Sequence, residues 1–96
     1  FRLARGGSGI FVGDASGSRP QSSSACYVGS NDLGYHVTSV DIKYVDSPAT
    51  TSSTTYSVQC RCQGAETSYI GRNATDPDSV SGTRAASSII VMEIAQ

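Results

Sequence analysis

The sequence contains no tryptophan, one methionine, one histidine and a single lysine, Lys43, against six arginines. One histidine leaves little for imidazole chemistry. A Ser–His–Asp hydrolase needs a base held by an acid beside an activated nucleophile. No serine here sits in a nucleophile-elbow pattern, and His36 reads as a strand-edge residue. A formal net charge of −1 argues against a general electrostatic grip on nucleic acid or an anionic membrane. No apolar run approaches the length of a membrane span, so membrane insertion is not expected. No segment keeps the apolar period of a helix.

What is abundant is serine and threonine, about a quarter of the chain, with ten glycines and five tyrosines. Hydroxyl, glycine and tyrosine enrichment with few helix formers indicates an all-β fold. The 96 residues suffice for one domain spanning 1–96. A domain of that size buries about two-thirds of the surface its unfolded chain exposes and is marginal alone. The chain opens at Phe1 on what reads as a strand, and is read as the C-terminal piece of a longer polypeptide.

Strands are expected at 1–5 and 9–12, separated by Gly6-Gly7, then at 25–28, 38–46, 54–63, 66–72 and 87–96. The clearest is 38–46, where Val40, Ile42 and Tyr44 alternate with Ser39, Asp41 and Lys43. In 54–63, Tyr56, Val58, Cys60 and Cys62 share one face, the expected core face; Ser57, Gln59, Arg61 and Gln63 share the other. Turns are expected at 31–34 and 63–65. Residues 13–21, 47–55 and 73–84 read as loops dense in turn formers. Seven or eight short strands at this spacing suit an antiparallel sandwich.

The last strand breaks the pattern of a surface strand. Ile90, Met92 and Ile94 point one way, Ile89 and Val91 the other. A strand covering one core should alternate apolar with polar. Both faces are therefore expected to meet protein, the second being another copy of the chain. Ile89, Ile90, Val91, Met92 and Ile94 are the expected oligomer interface.

Other constellations are weak. Cys26, Cys60 and Cys62 form no zinc-binding spacing, and are read as unbridged thiols packing as small apolar groups. Asp76-x-Asp78 with Asn73 and Thr75 offers oxygens, but lacks the glycine and closing glutamate of a calcium loop. Asn73-Ala74-Thr75 matches the N-glycosylation triplet, which is common by chance. Gly6-Gly7-Ser8-Gly9 has no following helix to form a phosphate cradle. Arg19, Arg72 and Arg84 are expected to pair with Asp14, Asp46, Asp76 or Asp78. No metal, cofactor or catalytic residue is expected. An enzyme acting on carbohydrate would need a carboxylate pair across a cleft, which the sequence does not establish.

Several segments taken in order carry a resemblance: Arg5-Gly6, IFVGDASGSR at 10–19, VDSPATTSSTTY at 45–56, Val58-Gln59, YIGR at 69–72, Asp76-Pro77-Asp78, Arg84 and SSIIVMEI at 87–94. Together they resemble a C-terminal domain of structural proteins from tailed phages, notably aquatic ones, and some large algal viruses. The resemblance spans nearly the whole chain. It implies an antiparallel β-sandwich of jelly-roll type, similar to the tumour-necrosis-factor and complement-head domains. It further implies a homotrimer ending a tail fibre, spike or surface appendage of the virion, in contact with other virion proteins. A host-surface glycan or protein is the implied ligand, with no enzymatic activity. A capsid cement or decoration protein is the alternative. Many relatives carry Asn where this chain has Gly71, and Cys60-x-Cys62 is not a family feature. The loop favoured for receptor contact is 73–84, through Asn73, Thr75, Asp76, Asp78 and Arg84.

Overall fold

The computed structural model describes residues 1–26 and 34–94. Expectations for the strand at 25–28, the turn at 31–34 and the last two residues fall wholly or partly outside them. Among the described residues there is no helix and every strand is antiparallel. One three-stranded sheet, in the order β2–β1–β3, is built from β1 (Arg2–Arg5), β2 (Ser8–Ile10) and β3 (Tyr56–Gln59).

β1 and β2 form a hairpin because Gly6 and Gly7 stand between them. Their φ angles of 56° and 84° are those of a type I′ turn, whose twist matches the flanking strands. The register pairs Arg5 with Ser8, Ala4 with Gly9 and Leu3 with Ile10. The ladder loosens at Leu3, where the Ser23 hydroxyl accepts from Leu3 N at 2.9 Å and donates to Ile10 O at 3.3 Å. Residues 22–24 then continue the edge: Ser23 N and Ser24 N donate to Phe1 O, and Phe1 N donates to Ser24 O.

On the other side of β1, β3 pairs Arg2 with Gln59, Leu3 with Val58, Ala4 with Ser57 and Arg5 with Tyr56. Gly6 N donates to Thr55 O at 2.9 Å, one register step further. Antiparallel pairs alternate between bonded and non-bonded, so Ser57 and Gln59 turn their backbone groups to β1. Tyr56 and Val58 turn theirs outward. One face of the sheet carries Leu3, Arg5, Ile10, Tyr56 and Val58. The other carries Arg2, Ala4, Gly9, Ser57 and Gln59, with the Arg2 side chain over Gly9 and its Nε donating to Gln59 Oε1 at 2.9 Å.

The described residues fall into two compact units, 1–26 with 38–66 and 34–37 with 67–94. In the second unit the one regular pairing is an antiparallel bridge between Arg72 and Arg84.

Three sequence expectations are corrected here. Residues 38–46, 66–72 and 87–94 form no ladder strand among the described residues. In 38–46 the alternation survives only in part as exposure: Val40 and Ile42 are half-buried and Asp41 and Lys43 exposed, but Tyr44, of the same apolar set, is 47% exposed. A period of two marks which face seeks cover, but a strand also needs an edge to pair with. The expected core face of β3 is also uncovered: Val58 is 51% exposed, Cys60 is exposed, and Tyr56 and Cys62 are half-buried. No disulfide joins Cys26, Cys60 and Cys62, and none of these thiols is buried as an apolar filler. Ala4 is the buried apolar side chain among the described residues.

Candidate functional site

Two loops expected to be exposed carry the polar chemistry, one in each unit. In the first unit the non-bonded pair Arg5–Tyr56 brings two side chains together at the end of β1, because such pairs hold their Cα atoms closest. Both grip Asp46, at the end of the alternating segment. Arg5 Nη1 donates to Asp46 Oδ1 at 2.9 Å and Oδ2 at 2.7 Å, and Tyr56 Oη donates to Oδ2 at 2.8 Å. The Tyr56 hydroxyl bond, with the Arg5 guanidinium, holds the Asp46 carboxyl below its ordinary value despite some burial. The same bond, followed by burial, raises the Tyr56 phenol. No spacing in the sequence joins these three residues. The only signal was a carboxylate closing an amphipathic run.

Asp46 thereby anchors the start of loop 47–55. This loop and the β1 end line an open cleft of about 370 Å³, bordered by Arg5, Pro48, Thr50, Ser53, Thr54 and Thr55. Hydroxyls and one guanidinium can exchange hydrogen bonds with a polyhydroxylated surface. They supply no nucleophile with a base beside it.

In the second unit, loop 73–84 is closed by its own ends. Ala85 N donates to Gly71 O at 2.7 Å beside the Arg72–Arg84 bridge. Gly71 has φ of 75°, and a Cβ there would lie 2.7 Å from Ala85 O. Asp76, itself at φ 43°, lies between the arginines: Arg84 Nη2 donates to its Oδ2 at 2.7 Å and Arg72 Nη1 lies 3.6 Å away. The Arg72 guanidinium also stacks 4.0 Å over the Tyr69 ring. The expected pairing of Arg72 and Arg84 with Asp76 is therefore present, whereas Asp46 pairs with Arg5.

The sequence-selected residues of this loop divide. Thr75, Asp78 and Arg84 are exposed and Asp76 half-buried. Asn73, grouped with them in the sequence reading, is 1% exposed instead. Its Nδ2 donates to Ser81 O at 3.2 Å, and its Oδ1 has no partner. Asn73 shapes the loop from within, and its Nδ2 is not presented for glycosylation. Asp76, Asp78, Ser79, Thr83 and Arg84 border a second cleft of about 280 Å³. Two arginines already neutralise Asp76, and among the described residues no three His, Cys, Asp or Glu side chains converge as metal ligands.

The C-terminal residues selected from sequence stand apart from both loops. Ile89, Ile90, Val91, Met92 and Ile94 are between 56% and 80% exposed. No protein-family model matches the chain, and neither the curated proteins nor the solved structures contain a match to it.

Proposed function

We propose that this chain is a virion structural domain: the homotrimeric head of a tail fibre, spike or surface appendage, with the full antiparallel sandwich of jelly-roll type, displaying loops toward a host-surface glycan or protein. It lies on the virion surface against other virion proteins and catalyses no reaction. The observation that carries the reading is the exposed apolar run Ile89, Ile90, Val91, Met92 and Ile94. A contiguous apolar surface of this kind is an interface in a protein that remains in solution. The resemblance of the ordered strings to phage and algal-virus structural proteins is what supports the virion assignment. The braced loop 73–84 and the hydroxyl-lined cleft beside loop 47–55 supply two surfaces of the chemistry that glycan hydroxyls accept.

Sedimentation of the domain at micromolar concentration tests the trimer, and a monomer ends this reading. Locating the domain in a map of the intact particle tests the virion role. Density at a fibre or spike tip is expected, while lateral contacts with the capsid lattice would replace the head with a decoration protein. Replacing 74–80 by a Gly/Ser segment is expected to leave the trimer assembled and reduce adsorption to host cells. Unchanged adsorption would remove that loop as the receptor contact.

A further inference from the structure

We infer that residues 87–94 of one protomer add as a fourth strand to the β3 edge of a neighbouring copy. The inference rests on the oligomeric reading above and goes beyond it. A trimer could instead gather its C-terminal segments along the symmetry axis and leave β3 uncovered.

The backbone of β3 gives the first reason. Ser57 and Gln59 spend their N–H and C=O groups on β1, so those of Tyr56 and Val58 point away from the sheet. Among the described residues nothing bonds to them. An open edge of this kind is a template for another chain. Nothing in β3 blunts it: YSVQ contains no proline, lysine or other charged residue. The opposite side of the sheet ends in the three-residue β2, and residues 22–24 already take over the pairing at Phe1. β3 is the longer edge, and among the described residues it is uncovered.

The C-terminal segment gives the second reason. It is eight residues of strand-forming sequence with no hydrogen bond to any described residue. Its apolar side chains on both faces suit a strand that enters a sheet between two covered surfaces. A strand needs an edge and an edge needs a strand. Both are present on each chain with complementary requirements. An antiparallel register placing Ile90 beside Val58 also sets Met92 beside Tyr56 and keeps the sheet antiparallel throughout.

The amount of surface gives the third. The chain exposes 8088 Å². Two separate compact bodies with the masses of the two units would expose about 6,000 Å². The surplus, about 2,000 Å² per chain, is of the size that a protomer of an obligate assembly buries against its neighbours. β-strand exchange removes backbone and side-chain surface together.

The test uses trimers mixed from two differently tagged chains in which Cys26, Cys60 and Cys62 are serine. One chain carries Val58→Cys and the other carries Ser88→Cys, Ile90→Cys or Met92→Cys in turn. Facing residues on paired strands hold Cβ atoms about 4.5–5.5 Å apart, within disulfide reach. Oxidation is expected to join the two tags at one of the three positions. A trimer with no cross-link at any of them overturns strand exchange and leaves the trimer standing. A monomeric unaltered domain removes both. A chain bearing Val58→Cys with the matching C-terminal cysteine that closes on itself as a monomer assigns the strand to its own sheet, and also overturns the inference.

Val58→Pro provides a second route if the cysteine variants do not fold. It deletes an outward N–H and leaves the β1 ladder complete. Association at least tenfold weaker is expected, with the amides of Ser57 and Gln59 still protected from exchange. Unchanged association refutes the exchange.

Discussion

At the scale of single residues, Asp46 joins three parts of the first unit: the end of β1, the start of β3 and loop 47–55. Its folded pKa is lowered, so its stabilising contribution is complete above the ordinary value of 3.8 and is lost as pH falls through the lowered value. Tyr56 behaves in the opposite sense. Its raised phenol contributes below the ordinary value of 10.0 and ceases to as pH rises through the raised one. Asp46→Asn is therefore expected to lower the urea midpoint by a nearly constant amount from about pH 5 to 9. The gap to the parent should shrink toward both extremes. A gap that does not change with pH would show the carboxylate to be only a spacer. Gly71 illustrates a different constraint. Its φ of 75° belongs to the left-handed region, and a Cβ there would lie 2.7 Å from Ala85 O, so both conformation and space call for glycine.

At the scale of elements, what was legible in the sequence depended on whether the signal was local. The first two strands were legible because two glycines in succession separate short strand-forming runs, whereas their pairing, which begins at Arg5 with Ser8, emerged only from the structure. Gly7→Val, a β-branched residue at φ 84°, is expected to cost at least about 1–2 kcal/mol, whereas Gly6→Asn should be tolerated. Chemical unfolding measures both, and equal effects would rule out the type I′ turn. β3 was legible by its alternation, although with longer bounds than the ladder reaches. Segments 38–46 and 87–94 carry equally clear patterns without a partner strand among the described residues. Pairing is a non-local property, and periodicity alone does not encode it. The Arg5–Asp46–Tyr56 cluster was not legible for the same reason: its members lie 41 and 10 residues apart. The inward position of Asn73 was hidden because Asn is an ordinary turn residue, and only the closed loop buries it.

At the scale of the whole molecule, a single buried alanine among the described residues cannot offset the conformational entropy of ordering the chain. Most of the apolar side chains that could form a core remain at the surface, with Val45 and Ile90 each 80% exposed. Folding and assembly are therefore expected to be one coupled reaction. The melting temperature should rise with protein concentration, by mass action, as it does for obligate oligomers. A melting temperature independent of concentration over a hundredfold range would contradict this. Met92→Asp is expected to dissociate the assembly, because an unpaired buried charge costs about 3–5 kcal/mol. The same substitution on a truly exposed residue would change stability by less than about 0.5 kcal/mol. The two outcomes are readily distinguished by sedimentation.

The closure of loop 73–84 by residues at its own base, Arg72 with Arg84 and Gly71 with Ala85, bears on how this protein can diversify. A loop whose ends are joined independently of its tip behaves as a cassette. Substitutions and insertions near Asp78 and Val80 leave the junction intact, so they carry little folding cost and can accumulate under selection for a changing target. Replacing Gly71 or Arg84 cuts the junction itself. Variation among natural or laboratory-selected variants should therefore concentrate at the exposed tip around Asp78 and Val80 and spare Asn73, Asp76 and the two arginines that hold the loop from within.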